Sequence, residues 1–135
     1  VLAGRVDEKS LVSGIDWLPT LCRLTGAKLP AADIDGEDVS DIWLGKPRDR
    51  TKPLFWKTSN VRSEIAFLAD RWKLIAPSGR RGEVELYDLA TDQAESRNLA
   101  AERPDIVKSL RSKVDAWNAT LPTEYIKSAI NDDSK

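Results

Sequence analysis

The sequence predicts an α+β fold: a four-stranded antiparallel sheet covered by a C-terminal amphipathic helix, with a strand-helix segment ahead of it. Three observations carry this. Between residues 53 and 89, apolar residues alternate with a period of two in four short runs. Close turn signals separate the last three runs. After Pro104 the apolar spacing lengthens to three and four residues and holds as far as Leu121.

The N-terminal segment comes first. Leu11-Val-Ser-Gly-Ile15 is a short apolar strand candidate, and Asp16 is placed to cap the helix after it. That helix runs from about residue 17 to 25, with Pro19 in its first turn and Gly26 at the left-handed stop. Leu18, Leu21, Cys22 and Thr25 share one side of it. Residues 27–37 are a turn-rich connection. Asp38 then caps a short helix carrying Val39, Ile42 and Trp43, and Gly45 closes it. Lys46-Pro-Arg-Asp-Arg-Thr-Lys52 is a charged linker, so the chain divides most naturally near residue 46.

Four strands follow: Pro53–Lys57, Glu64–Ala69, Trp72–Ala76 and Glu83–Leu89. Ile65 with Phe67, Trp72 with Leu74, and Val84 with Leu86 each share a face. Pro104 opens the closing helix, where its fixed φ helps. Ile106, Val107, Leu110, Val114, Trp117 and Leu121 form its apolar stripe, and Pro122 stops it. Such a stripe is the natural cover for one face of a sheet. Trp72 and Trp117 are expected to meet across that interface. The polar tail, residues 122–135, is expected to fray.

Composition narrows the function classes. With 21 basic and 22 acidic residues the chain has no global field, so neither nucleic acid nor membrane is implied as a partner. Histidine is absent, which removes the usual proton shuttle and the commonest metal ligand. Cys22, the single cysteine, lies among leucines and reads as a small buried thiol. The start lacks an initiator methionine and any signal-like pattern, as expected of a segment of something longer. Independent catalysis is therefore not expected, and neither a catalytic nor a metal-ligating set is assigned.

Several residue groups still invite a chemical reading. Asp88, Asp92 and Glu95 offer oxygen ligands at close spacing, but they fit no calcium loop and read better as turn formers, with Asn98 as a local cap. Lys46, Arg48, Arg50 and Lys52 can grip an oxyanion, as can Arg80-Arg81, yet a solvated surface explains both groups more simply. Trp56, Lys57 and Arg62 form the most promising set: an indole to stack on a sugar, and two cations for a sulfate or carboxylate.

Several motifs occur in one order: Val12-Ser-Gly-Ile-Asp-Trp-Leu-Pro-Thr20, Leu24-Thr-Gly-Ala27, Asp35-Gly36, Ile42-Trp-Leu-Gly45, Pro53-Leu-Phe-Trp56, Asp70-Arg-Trp-Lys-Leu74, Glu85-Leu-Tyr-Asp-Leu89, then Asp92, Glu95 and Asn98-Leu-Ala100. The ordered set, across about residues 8 to 121, resembles the C-terminal portion of the type I, formylglycine-dependent sulfatases, of the arylsulfatase or N-acetylgalactosamine-6-sulfatase kind.

That resemblance implies a domain plan. Residues 1–45 would end the large catalytic α/β domain, residues 46–121 would be the sulfatase C-terminal subdomain, and residues 122–135 a tail. It also implies a parent enzyme that hydrolyses aryl or carbohydrate sulfate esters with calcium and a formylglycine, neither of which belongs to this segment. Cys22, in Leu21-Cys-Arg-Leu24, lacks the family's cysteine-x-proline-x-arginine pattern. The implied partners are the missing N-terminal catalytic domain and a sulfated small molecule or glycan, with self-association of the isolated segment. Family membership makes a periplasmic or secreted location the expectation. Subdomain loops can wall the substrate pocket, which favours Trp56, Lys57 and Arg62. Phe67-Leu68 departs from the family, standing where many relatives carry valine-arginine. The alternative is a self-standing noncatalytic binding module, possible ligands being sulfated glycans.

Overall fold

A computed structural model describes residue 4 and residues 6–58, 64–78 and 82–122. Arg62, Arg80, Arg81 and the tail beyond Pro122 lie outside the described residues.

The sheet is a meander. Strands β1 (Leu54–Lys57), β2 (Glu64–Ala69), β3 (Trp72–Pro77) and β4 (Glu85–Asp88) lie side by side in sequence order, all antiparallel. The register places Phe55 opposite Phe67, Phe67 opposite Leu74, and Leu74 opposite Leu86, so one face gathers the large apolar side chains. Asp70 makes the tight β2–β3 turn with a left-handed backbone, φ 52°, which aspartate tolerates better than most residues.

Helix α3 (Pro104–Thr120) covers that face, with Pro104 in its first turn. Leu110 and Val114 join Ile65, Phe67, Leu74, Ala76 and Leu86 in one buried core, edged by Ile106, Val107 and Trp117. The predicted stripe therefore buries as expected. One pairing differs. Trp117 stacks on Phe55, centroids 4.7 Å apart and planes within 8°. Trp72 lies instead between Arg71 and Arg103, whose guanidinium carbons are 5.7 and 5.6 Å from its ring. The reason is helix length. Fourteen residues separate position 103 from Trp117, about 21 Å of rise, so the two tryptophans serve opposite ends of the sheet.

The N-terminal segment corrects a second expectation. Residues 11–15 are not a strand; Gly14–Asp16 form a 3-10 turn that leads straight into α1 (Trp17–Thr25). A strand needs a neighbour for its N–H and C=O groups, and the strands among the described residues pair only with one another. Helix α1 ends as predicted on left-handed Gly26, φ 74°. Helix α2 (Ser40–Trp43) is one turn, entered where the Ser40 N–H donates to Asp38 Oδ1 at 2.9 Å.

Candidate functional site

Strand alternation decides where the predicted set falls. Lys57 is opposite Ile65 on the α3 side, and its Nζ donates to Asn118 Oδ1 at 2.7 Å. Trp56 points to the other side of the sheet, where it is 44% exposed. The two neighbours thus sit at the end of one edge strand but on opposite faces. Arg62 is outside the described residues.

The charged linker is the larger surprise. Arg50 is not a solvated surface residue: its side chain is 4% exposed and forms a two-pronged ion pair with Asp16, which is fully buried. Nη2 donates to Asp16 Oδ1 at 2.8 Å, and Nη1 donates to Oδ2. The same carboxylate accepts the N–H of Ser13 at 2.8 Å and of Glu37 at 3.0 Å. Asp16 is therefore not the expected helix cap. Its own backbone is already helical, φ −81° and ψ −12°, whereas a capping residue takes an extended conformation. Burial pushes its carboxyl up, but the bonds from Arg50, Glu37 and Ser13 outweigh that and hold it below the usual carboxylate range.

Glu37, equally inconspicuous in sequence, centres a second cluster. It accepts from Arg48 Nη1 at 2.8 Å, from Thr51 Oγ1 at 2.7 Å and from the Lys52 N–H at 2.8 Å. Burial again works upward, yet these donors pull its carboxyl down to about 2. Arg48 reaches on to Asp41 Oδ2 at 2.8 Å and the Asp38 carbonyl at 2.6 Å. Lys52 Nζ donates to the carbonyl oxygens of Ile34 and Gly36. Arg48, Arg50 and Lys52 are thus all bonded to the protein's own acceptors, although only Arg50 is enclosed and Lys52 stays exposed, and their bonds cross the expected division at residue 46.

The carboxylates at the end of β4 and just after it are spent as well. Arg71 grips Asp88 with two nitrogens, and this pairing holds the Asp88 carboxyl below its usual range. Asp92 accepts the N–H groups of Ser96 and Arg97, while Lys73 Nζ lies 2.6 and 2.7 Å from the Glu95 oxygens. Asn98 Oδ1 accepts from Leu86 N–H and Ala100 N–H, tying the descending chain to β4. Among the described residues no three His, Cys, Asp or Glu side chains are grouped to hold a metal. With their carboxylates taken up by Arg71, Lys73 and backbone N–H groups, Asp88, Asp92 and Glu95 do not fit a calcium ion.

Two clefts flank the buried network. One, of about 590 Å³, is lined by Pro19, Cys22, Arg23, Leu29 and Glu37; the other, about 240 Å³, lies among Ile15, Asp33, Asp35, Phe55 and Trp117. Neither includes Trp56 or Lys57. Cys22 is a free, half-buried thiol. No described helix is long and apolar enough to cross a membrane.

A four-stranded antiparallel sheet with a C-terminal helix across it and a helical segment ahead of it is consistent with a sulfatase C-terminal domain. A family model described as N-sulphoglucosamine sulphohydrolase, C-terminal, matches residues 2–120, and the chain belongs to that family. It is 29% identical to an N-acetylgalactosamine-6-O-sulfatase of Bacteroides thetaiotaomicron, over 76% of this chain and 22% of that protein. It is 30% identical to human arylsulfatase A, over 75% of this chain and 25% of the relative. The chain therefore spans about a quarter or less of these relatives. Among solved structures, one reported with its substrate D-glucosamine-2-N,6-O-disulfate superposes with a TM-score of 0.60 at 23% identity, covering 77% of this chain and 23% of that one. Ps i-CgsB in complex with a neocarrahexaose gives 0.68 at 18% identity, covering 79% and 24%. These two likenesses concern the fold alone.

Proposed function

We propose that this chain is the noncatalytic C-terminal domain of an exported, formylglycine-dependent sulfatase acting on aryl or carbohydrate sulfate esters. The family match across residues 2–120, in a chain without histidine, is the observation that carries it. Proton transfer in ester hydrolysis needs a positioned group with an available proton or lone pair. The buried candidates here, Asp16 and Glu37, are locked by three or more donors each. The single cysteine lies in α1 without the modification pattern, so this segment does not fit a formylglycine. In this reading calcium and the modified residue belong to the catalytic α/β domain, of which residues 1–45 are the end, while residues 46–121 form the smaller C-terminal subdomain.

Trp56, Lys57 and Arg62 would then stand on the rim of the parent's pocket. Trp56 offers an open indole face for a sugar. Lys57 has spent one of its three ammonium donors on Asn118, which leaves two for a sulfate. The purified 135-residue chain is expected to leave an aryl sulfate ester unhydrolysed. Turnover abolished by a calcium chelator would overturn the reading.

The exposure of Trp56 also favours a second reading, a self-standing module for sulfated glycans. Titration with a sulfated disaccharide separates the two: saturable, salt-sensitive binding by the isolated chain is expected only from the module.

A further inference from the structure

The sheet face away from α3 carries a row of side chains that crosses all four strands. The register sets Trp56 opposite Ala66, Ala66 opposite Ile75, and Ile75 opposite Glu85. Residues directly opposite one another share a face, so the four stand in line over three interstrand steps, about 14 Å. Trp56 is 44% exposed, and Ala66, Ile75 and Glu85 are half-buried. The next row on the same face is more enclosed: Leu54, Leu68 and Tyr87 are buried, and Lys73 is tied to Glu95. The first row is therefore a shelf with a buried row behind it.

The chemistry of the shelf changes along its length. Trp56 supplies a broad apolar ring on the edge strand, and Ala66 across from it has no side chain long enough to cover that ring. Ile75 continues the apolar floor. Glu85 ends it with a carboxylate, whose Oε2 accepts the Tyr87 hydroxyl at 2.6 Å. A carboxylate so engaged keeps further lone pairs for another hydroxyl. Asp92 and Glu95 lie close enough to Tyr87 to add their negative charge to this end. An indole and a carboxylate in one line suit an uncharged sugar: the indole stacks on an apolar pyranose face, and the carboxylate takes a hydroxyl. The same carboxylate repels a sulfate.

Lys57 serves the opposite side. It lies on the α3 face, where its ammonium reaches Asn118. A ring lying flat on the Trp56 side of the sheet is out of reach of that ammonium. The stacking platform and this cation therefore address different sugar units.

We infer that the shelf from Trp56 to Glu85 holds an uncharged sugar unit beside the sulfated one, so that the parent enzyme reads a glycan chain rather than an aryl ester. Trp56 is the stacking platform and Glu85 the hydroxyl acceptor. The inference rests on the sulfatase reading above and narrows its substrate class.

The test uses the longer polypeptide encoded with this segment. Rates are measured with two short esters, p-nitrophenyl sulfate and N-acetylgalactosamine 6-sulfate, and with tetrasaccharides from chondroitin sulfate, heparan sulfate and carrageenan. Trp56→Ala is expected to lower kcat/KM for the hydrolysed tetrasaccharide at least about tenfold more than for a short ester, through KM rather than kcat. Trp56→Tyr keeps a ring and should recover most of that loss. Glu85→Ala should raise the same KM. Losses equal on long and short substrates, or no loss on either, would overturn the shelf and leave the sulfatase reading standing. An enzyme that hydrolyses a short ester but none of the tetrasaccharides would do the same. A longer polypeptide that hydrolyses no sulfate ester and lacks a cysteine- or serine-x-proline-x-arginine motif would remove the sulfatase reading, and the shelf with it.

Discussion

Asp16 and Arg50, thirty-four residues apart, form a fully enclosed ion pair that fastens the N-terminal helix to the lead-in of the first strand. The guanidinium fork matches the two carboxylate oxygens, and the backbone N–H groups of Ser13 and Glu37 complete the acceptor set. Every polar atom at this joint therefore has a partner, the condition under which a buried pair is tolerated.

Removing one member leaves the other charged and buried. Arg50→Met is expected to lower unfolding stability by about 3–5 kcal/mol, read from urea denaturation at neutral pH. The double variant Arg50→Met with Asp16→Leu should lose less than the sum of the two single losses. It should not return to the starting value, because the Ser13 and Glu37 amides remain without an acceptor, at about 1–3 kcal/mol each. Strict additivity would show that the two side chains are not coupled.

Acid should open the same joint. Glu37 titrates near 2 when folded, against an ordinary 4.5, and Asp16 is also lowered. A carboxyl depressed by folding adds stability above its unfolded value and loses it as the pH falls through the folded one. Stability should therefore decline from about pH 4.5 down to about 2. Glu37→Gln should flatten that decline while lowering stability at pH 7. An unchanged acid limb in this variant would refute the assignment.

Gly36 sits against the turn that delivers Asp16. A Cβ there would lie 2.1 Å from the Ile15 carbonyl oxygen and 2.7 Å from its carbon, so the backbone itself must move. That movement would draw the Glu37 N–H away from Asp16. Gly36→Ala is expected to cost about 1–3 kcal/mol, typical of overpacking, seen as a lower thermal midpoint. Gly14→Ala, with nothing within 4 Å of the added carbon, is the control and should change little.

Tyr87 should ionise late. Its hydroxyl donates to Glu85 Oε2 at 2.6 Å; that bond first, then burial and the charges of Glu85, Glu95 and Asp92, push the phenol up to about 12. Ultraviolet titration should show one of the two tyrosines ionising near that value, and Glu85→Gln should bring it back toward 10. A phenol raised by folding contributes stability below its unfolded value, lost between about pH 10 and 12. A single phase near 10 for both tyrosines would contradict the bond.

Local physics made the sheet and α3 legible. Alternation at Ile65 and Phe67, and three-to-four spacing from Ile106 to Trp117, are imposed by backbone geometry and can be read within one window. The separation of Trp56 from Lys57 was legible too, since neighbours on a strand face opposite ways. Arg48 and Arg50 were not. A charged linker and a buried ion-pair joint have the same composition, and what distinguishes them is a carboxylate delivered from elsewhere in the chain. Leu11–Ile15 read as a strand because its residues favour one, but a strand exists only with a neighbour to pair with.

The sequence alone thus determined the elements that periodicity defines, the order of the motifs, and the family to which they belong. Only the tertiary structure decided which charges are interior, which tryptophans meet, and which apolar side chains are left outside. Burial and desolvation are properties of the whole surrounding, and residues as distant as Asp16 and Arg50 acquire them only when the chain brings them together.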